Sequence, residues 1–219
     1  MDYKFEPWIG ENYKNSHLRT MFVGESHYGE DTKKYRERTT NIVMQDVVKN
    51  IQGRHWGKCP FFGNMYKAMQ NESVPQLRTR PNCNKIWQNF WCDIIFCNYL
   101  QTESLGGPRG RSKPESTDYE GAAEYLWKLI DDYKPRLIIF WSKGRIAWHF
   151  YKWINEQKAS KLKNFEWHPA GEEEKWTDCH HFTKPFLFSI LKCNHPSGRG
   201  FGKHEYERIE EFKKTLARC

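Results

Sequence analysis

A short apolar run, Met21 to Val23, closes on Gly24 and is followed at once by Glu25, Ser26, His27 and Tyr28. A carboxylate at a strand end, beside a hydroxyl and an imidazole, is suited to hold or activate a water molecule as a general base. A Glu in such a place equally serves to cap a helix or to pair with a cation. A second polar cluster, "NHPSGRGFG" from Asn194 onward, follows another apolar run. Pro196 biases His195 toward an extended backbone. Ser197, Gly198 and Gly200 leave backbone N–H groups open to a phosphate oxygen. With Arg199 at its tip, this loop suits a grip on a phosphodiester backbone, or else it is a solvated glycine turn.

Other chemical groups lie between these two clusters. Asn98, after "DIIFC", offers both a donor and an acceptor to a planar, amide-like edge, although Asn in that place also makes turns. Phe61 and Phe62 fall in "CPFFGN", expected as a loop ahead of a helix, with one ring free to stack on a planar ligand and the other in the core. Cys179, His180 and His181 are adjacent, and His168 is the one evident further ligand. Without a CxxC partner this set lacks the spacing of a structural zinc site, so neither a metal nor another cofactor is expected.

Elements must bring these groups together. Buried strands are expected at "LRTMFVGES", at Cys92 to Cys97, at "PRLIIFW" and at "PFLFSILKCN". Amphipathic helices are expected at "NIVMQDVVKNI", after "CPFFG", at "STDYEGAAEYLWKLIDDY", at "KGRIAWHFYKWINEQ" and at "KHEYERIEEFKKTLAR". Asp118 reads as an N-cap and Pro135 as a stop. Short apolar runs alternating with helices predict an α/β fold with a mostly parallel sheet. Ligands of such sheets bind beyond the carboxyl ends of the strands. The residues expected at that edge are Glu25 to Tyr28, Asn98, Trp141 to Lys143 and Asn194 to Ser197. A long loop rich in Gly, Pro and basic residues, Thr102 to Thr117, is expected to be functional or mobile.

Composition narrows the partners. The 219 residues fit one domain, 1–219, with enough chain for a real core. A formal net charge of +8 favours a polyanion such as nucleic acid. Aromatics make up 16% of the chain, with 10 Trp, and serve either as core or as stacking platforms. The 7 Cys include no CxxC pair, which points to reduced thiols and a cytoplasmic setting. No segment reads as a signal peptide, and none approaches the roughly 18 apolar residues of a membrane span.

"GESHYG" after the first strand and "HPSGRG" after the last resemble the two signature motifs of the uracil-DNA glycosylase superfamily. "CPFFGN" resembles its PF-x-G segment, "DIIFCNYL" its strand ending in the base-reading Asn, and "PRLIIFWSKGRIAW" the strand, turn and helix before its last strand. The resemblance covers about residues 18 to 216. It implies a three-layer α/β/α sandwich around a four-stranded parallel sheet. It also implies cleavage of an N-glycosidic bond after a base is flipped out of DNA. On this resemblance Glu25 positions water and His195 stabilises negative charge on the departing base. Asn98 reads the base edge, Phe61 stacks on it, and Tyr28 bars bulky C5 substituents. Ser197 touches phosphate and Arg199 fills the gap left in the duplex, with Ser26 and His27 in the base pocket and Gly198 and Lys143 on the DNA.

The chain departs from the motifs at two places. His27 stands where Pro is usual, and Gly198 stands where the second motif usually has Pro. The N-terminal cysteines of the iron–sulfur branch, which shares Glu at the position of Glu25, are missing, so no cluster is expected. These departures extend the expected base beyond uracil to damaged or modified bases, including those of invading phage DNA. The expectation is therefore a monofunctional glycosylase, since no Lys replaces the water-positioning residue to form a Schiff base. It would be a monomer acting on duplex or single-stranded DNA, cytoplasmic or nucleoid-associated, or nuclear in a eukaryote. The alternatives are a non-catalytic nucleic-acid-binding module on the same fold and a hydrolase of free nucleotides or nucleosides.

Overall fold

A computed structural model describes residues 6–25, 27–29, 40–49, 60–101, 103–105, 116–141, 145–158, 167–169, 179–182, 188–194, 196 and 202–217. Four strands form the centre of the main sheet: β2 (Thr20–Gly24), β4 (Ile94–Asn98), β6 (Leu137–Phe140) and β9 (Phe188–Lys192). They lie in the order β4-β2-β6-β9, and every neighbouring pair is parallel. All four are near-continuous apolar runs because both of their faces are covered.

The sheet as a whole is larger than the four parallel strands expected. It has seven strands and is mixed. β1 (Trp8–Ile9) adds antiparallel to β4 at one side. On the other side β8 (Cys179–Phe182) adds antiparallel to β9, and β7 (Trp167–Pro169) adds antiparallel to β8. The expectation missed these strands because they are two to four residues long and carry no apolar run. Short flanking strands of this kind pair the otherwise open edges of the parallel centre. A separate two-stranded parallel sheet joins β3 (His27–Gly29) to β5 (Glu103–Leu105). The stretch expected as a loop from Thr102 thus begins with a strand.

Helices cover both faces. Alternate residues of each central strand point to opposite sides. Met21 and Val23 join one core with Ile95, Ile138 and Ile190, whereas Phe22 joins the other with Phe96, Ile139 and Leu191. The Met21 side is packed by α5 (Ser116–Tyr133) and α6 (Arg145–Lys158). The Phe22 side is packed by α1 (Thr40–Lys49), α2 (Pro60–Gln70), α3 (Val74–Leu77), α4 (Cys83–Cys92) and α7 (Lys203–Ala217). Among the described helices none is long and apolar enough to cross a membrane.

Local chemistry accounts for the helix ends. Pro60 opens α2, where its missing N–H costs nothing, so Phe61 and Phe62 lie in the first helical turn and not in a loop before it. In α3, Ser73 accepts from the Gln76 N–H while the Gln76 side chain accepts from the Ser73 N–H, a reciprocal capping box. α5 starts at Ser116, so Asp118 lies inside the first turn and is not the cap. It ends where Lys134 turns to φ 47° ahead of Pro135, the expected stop.

Among the described residues most aromatics are core. Trp87, Trp91 and Trp141 are fully buried, and Trp148 is the one large exposed apolar side chain among the described residues. The Phe22 ring meets Trp141 edge-on at 5.3 Å and lies 6.2 Å from both Phe90 and Trp91. Edge-to-face contacts of this kind add to the area that the rings bury. The Trp87 indole N–H donates to the Val47 carbonyl at 2.7 Å, and that of Trp8 to the Trp91 carbonyl at 2.9 Å. We expect Phe22→Ala to cost about 3–5 kcal/mol in urea unfolding, the usual range for an aromatic lost from a core. A loss below about 1 kcal/mol would show that Phe22 does not centre this cluster.

Candidate functional site

The parallel ladder levels the carboxyl ends of the central strands. Gly24 pairs with Asn98, Val23 with Phe140, and Phe140 with Lys192. Backbone bonding continues past the strand ends. Tyr99 N–H donates to the Gly24 carbonyl at 2.9 Å, Leu100 N–H to Glu25 at 3.0 Å, Trp141 N–H to Val23 at 2.9 Å and Cys193 N–H to Phe140 at 2.8 Å. Glu25, Asn98, Trp141 and Asn194 therefore meet at one edge, as expected for a ligand site of an open α/β sheet.

Gly24 is what lets the Asn98 amide sit there. A Cβ at position 24 would lie 2.4 Å from Asn98 Oδ1. The amide thus rests directly against the glycine backbone and is 6% exposed. Its main-chain carbonyl accepts from Gln101 Nε2 at 2.9 Å, but the side-chain amide makes no hydrogen bond among the described residues. A nearly buried amide of this kind retains both donor and acceptor capacity for a ligand.

Phe61 adjoins this amide through Phe96. The Phe96 ring tip lies 3.4 Å from where a Gly24 Cβ would be, and its ring centre is 6.1 Å from that of Phe61. Phe61 is half-buried and meets Phe62 edge-on at 5.1 Å, while Phe62 is buried in the core. Phe61 packs against the same core from its rim, so the two rings differ in depth. Glu25 is half-buried at the end of β2. His27 and Tyr28 are held by backbone pairing in β3, opposite Glu103 and Ser104. Burial pushes the Tyr99 hydroxyl well above its ordinary pKa, with a smaller contribution from Tyr119, so Tyr99 is a neutral phenol at this edge.

Three side chains at the second cluster escaped the sequence reading. Asn64, on α2, donates through Nδ2 to the Pro196 carbonyl at 2.6 Å. Glu205, on α7 and fully buried, accepts from Asn194 Nδ2 at 2.6 Å and from the Asn194 N–H at 3.4 Å. Arg208 pairs with Glu205 at 3.3 Å and donates to the Lys192 carbonyl at 3.3 Å. The only sequence signals were the Asn after "PFFG" and an i,i+3 Glu–Arg pair on an amphipathic helix, which ordinarily sits in solvent.

Ser26, Lys143, His195, Ser197, Gly198 and Arg199 lie outside the described residues. In the His-rich stretch, strand register sets His168 opposite His181 and Pro169 opposite His180. Cys179 pairs with Leu191 of the central sheet.

The Gly24–Asn98 contact is open to a direct test. In Gly24→Ala the new methyl group meets the end of a side chain, so the amide swings away and the strand stays paired. We expect a loss of about 1–2 kcal/mol in urea unfolding, together with a displaced Asn98 side-chain amide signal in NMR spectra. An unmoved amide signal would rule the contact out. No protein-family model matches the chain, and no curated protein sequence matches it.

Proposed function

We propose that this chain is a monofunctional DNA glycosylase on a uracil-DNA glycosylase-like fold, removing a uracil-like, damaged or modified base. The observation that carries this reading is the edge geometry. One parallel register sets the Asn98 amide over Gly24, with Glu25 following at the end of the same strand and the Phe61 ring packed against Phe96. A planar base with an amide-like edge is the ligand that uses all three groups at once.

On this reading a flipped base stacks on Phe61 and pairs its edge with Asn98. The C1′–N bond breaks with its electron pair leaving on the base. His195 stabilises that negative charge by a charge-assisted hydrogen bond. Glu25 orients a water, takes its proton as the oxygen bonds to C1′, and favours the cationic sugar meanwhile. Ser26, His27 and Tyr28 bound the pocket, and His27 in place of Pro is the residue that shifts the base away from uracil. Ser197, Gly198, Arg199 and Lys143 hold the DNA backbone or fill the vacated stack. An aromatic stack and an uncharged amide reader suit a neutral base.

The test is a panel of oligonucleotides, each with one uracil, hypoxanthine, xanthine or hydroxymethylated base, incubated and then treated with alkali. We expect strand breaks at one class of base. His195→Ala should slow base release by about 10²–10³, and Glu25→Gln by about a hundredfold or more, with binding to abasic product kept. Salt-dependent DNA binding with no abasic site on any base, and no effect of Glu25→Gln, would overturn the catalytic reading.

A further inference from the structure

We infer that Asn64 is a positioning residue for the turn that carries His195, acting together with the buried Glu205–Arg208 pair. The inference rests on the glycosylase reading for what the turn does, and on the structure for how the turn is held.

The turn is gripped on both sides of His195. Before it, both the side-chain amide and the backbone N–H of Asn194 point at Glu205 Oε1, at 2.6 and 3.4 Å. After it, the Pro196 carbonyl accepts from Asn64 Nδ2 at 2.6 Å. Pro196 is itself buried, and Pro has no N–H, so its carbonyl is the one polar backbone group it can offer. Glu205 is fully buried and Arg208 nearly so. A buried carboxylate with a guanidinium partner and two further donors is held in one orientation. It is a rigid post, not a surface contact.

Asn64 adds something the post cannot. It lies three residues after Phe61, on the same helix and one turn away, so the two share a face of α2. The bond to Pro196 therefore fixes the stacking ring relative to the His195 turn, which a chain separation of 132 residues would otherwise leave unset. The same two helices meet again farther from the turn. Lys67 lies 4.6 Å over the Tyr206 ring, and Lys213 donates to the Met69 carbonyl at 2.5 Å. These contacts join α2 to α7 without touching residues 194–196, which supplies a control.

Single-turnover base release should be compared in wild type, Asn64→Ala, Asn64→Asp and Lys213→Met. Asn64→Asp keeps the shape but sets a carboxylate against the Pro196 carbonyl in place of a donor. We expect both Asn64 variants to slow release by about ten- to a hundredfold, the scale of a small misplacement of a reacting group, with affinity for abasic DNA nearly unchanged. Lys213→Met should lower the melting temperature and leave the rate alone. The decisive comparison is the double variant. In a His195→Ala background, Asn64→Ala should have no further effect on rate, because the two act through one group. Equal slowing by Lys213→Met, or a full Asn64→Ala effect in the His195→Ala background, would overturn the proposal. Should wild type release no base at all, the glycosylase reading fails separately. The positioning role is then read from ¹⁵N relaxation of residues 197–200. Faster motion in Asn64→Asp than in wild type supports it, and unchanged relaxation refutes it.

Discussion

Five consecutive residue pairs join Thr20–Gly24 to Ile94–Asn98 in parallel, and both strands are buried on both faces. Because side chains alternate along a strand, a slip of β2 by one residue would send Phe22 into the opposite core and bring Met21 and Val23 out of theirs. Both cores are already filled by large side chains: Phe22 meets Trp91 and Trp141 edge-on on one side, and Tyr119, Phe150 and aliphatic residues of α5 and α6 pack the other. Packing thus pins the register, and the register decides that Gly24 and not Val23 lies beneath Asn98. A side chain larger than Gly at that place would meet the amide. The site inherits its accuracy from the core.

The second cluster is held by different physics. A buried Glu–Arg pair is poor evidence for stability, since desolvation of both charges offsets much of their attraction. Its value lies in geometry. Glu205 has one carboxylate oxygen toward Asn194 and the other toward Arg208, and Arg208 reaches back to the Lys192 carbonyl at the end of β9. The pair therefore measures the distance between the last strand and the last helix, and the turn between them spans it. Surface pairs such as Lys128–Asp132 and Lys152–Glu156 have no such consequence, being solvent-exposed and screened.

How legible this was in the sequence follows from the same distinction. The four parallel strands could be read because burial on both faces makes them continuous apolar runs, and α5 because its apolar residues keep a helical period up to Pro135. The helix α4 could not be read as readily: "CNKIWQNFWC" is built from Asn, Trp and Phe, poor helix formers, and is held by the burial of Trp87, Phe90 and Trp91. β7 and β8 carry Trp, Pro, His and Cys, and only pairing makes them strands, β8 with β9 and β7 with β8. At the edge, the places of Glu25 and Asn98 were legible because each ends or follows a readable strand, whereas Phe61 was expected in a loop and opens a helix. Asn64 and Glu205 were not legible, because their partners are a distant backbone carbonyl and an Asn on another element. No local pattern encodes such a contact.

Composition alone was a weak guide to function, and the fold explains why. Among the described residues the aromatics are largely spent in the core, so they say little about stacking on bases. The charge is another matter. Topology forces the connection after each parallel strand to start at the carboxyl edge. In sequence, the connection after β2 is balanced, with Lys33, Lys34, Arg36 and Arg38 against Glu25, Glu30, Asp31 and Glu37. The one after β4 carries Arg109, Arg111 and Lys113 against Glu103 and Glu115, and those after β6 and β9 carry Lys143 and Arg199 with no acid beside them. These last three connections are net basic, whereas cations on or next to the helices, such as Lys128, Lys134, Lys152 and Lys213, are paired with carboxylates of the same helix. Each of these connections leaves from the strand ends at the edge where Asn98 stands. On the proposed reading, their basic charge suits a nucleic-acid substrate, whereas a free base or nucleoside would need the Asn98 amide and not the charge.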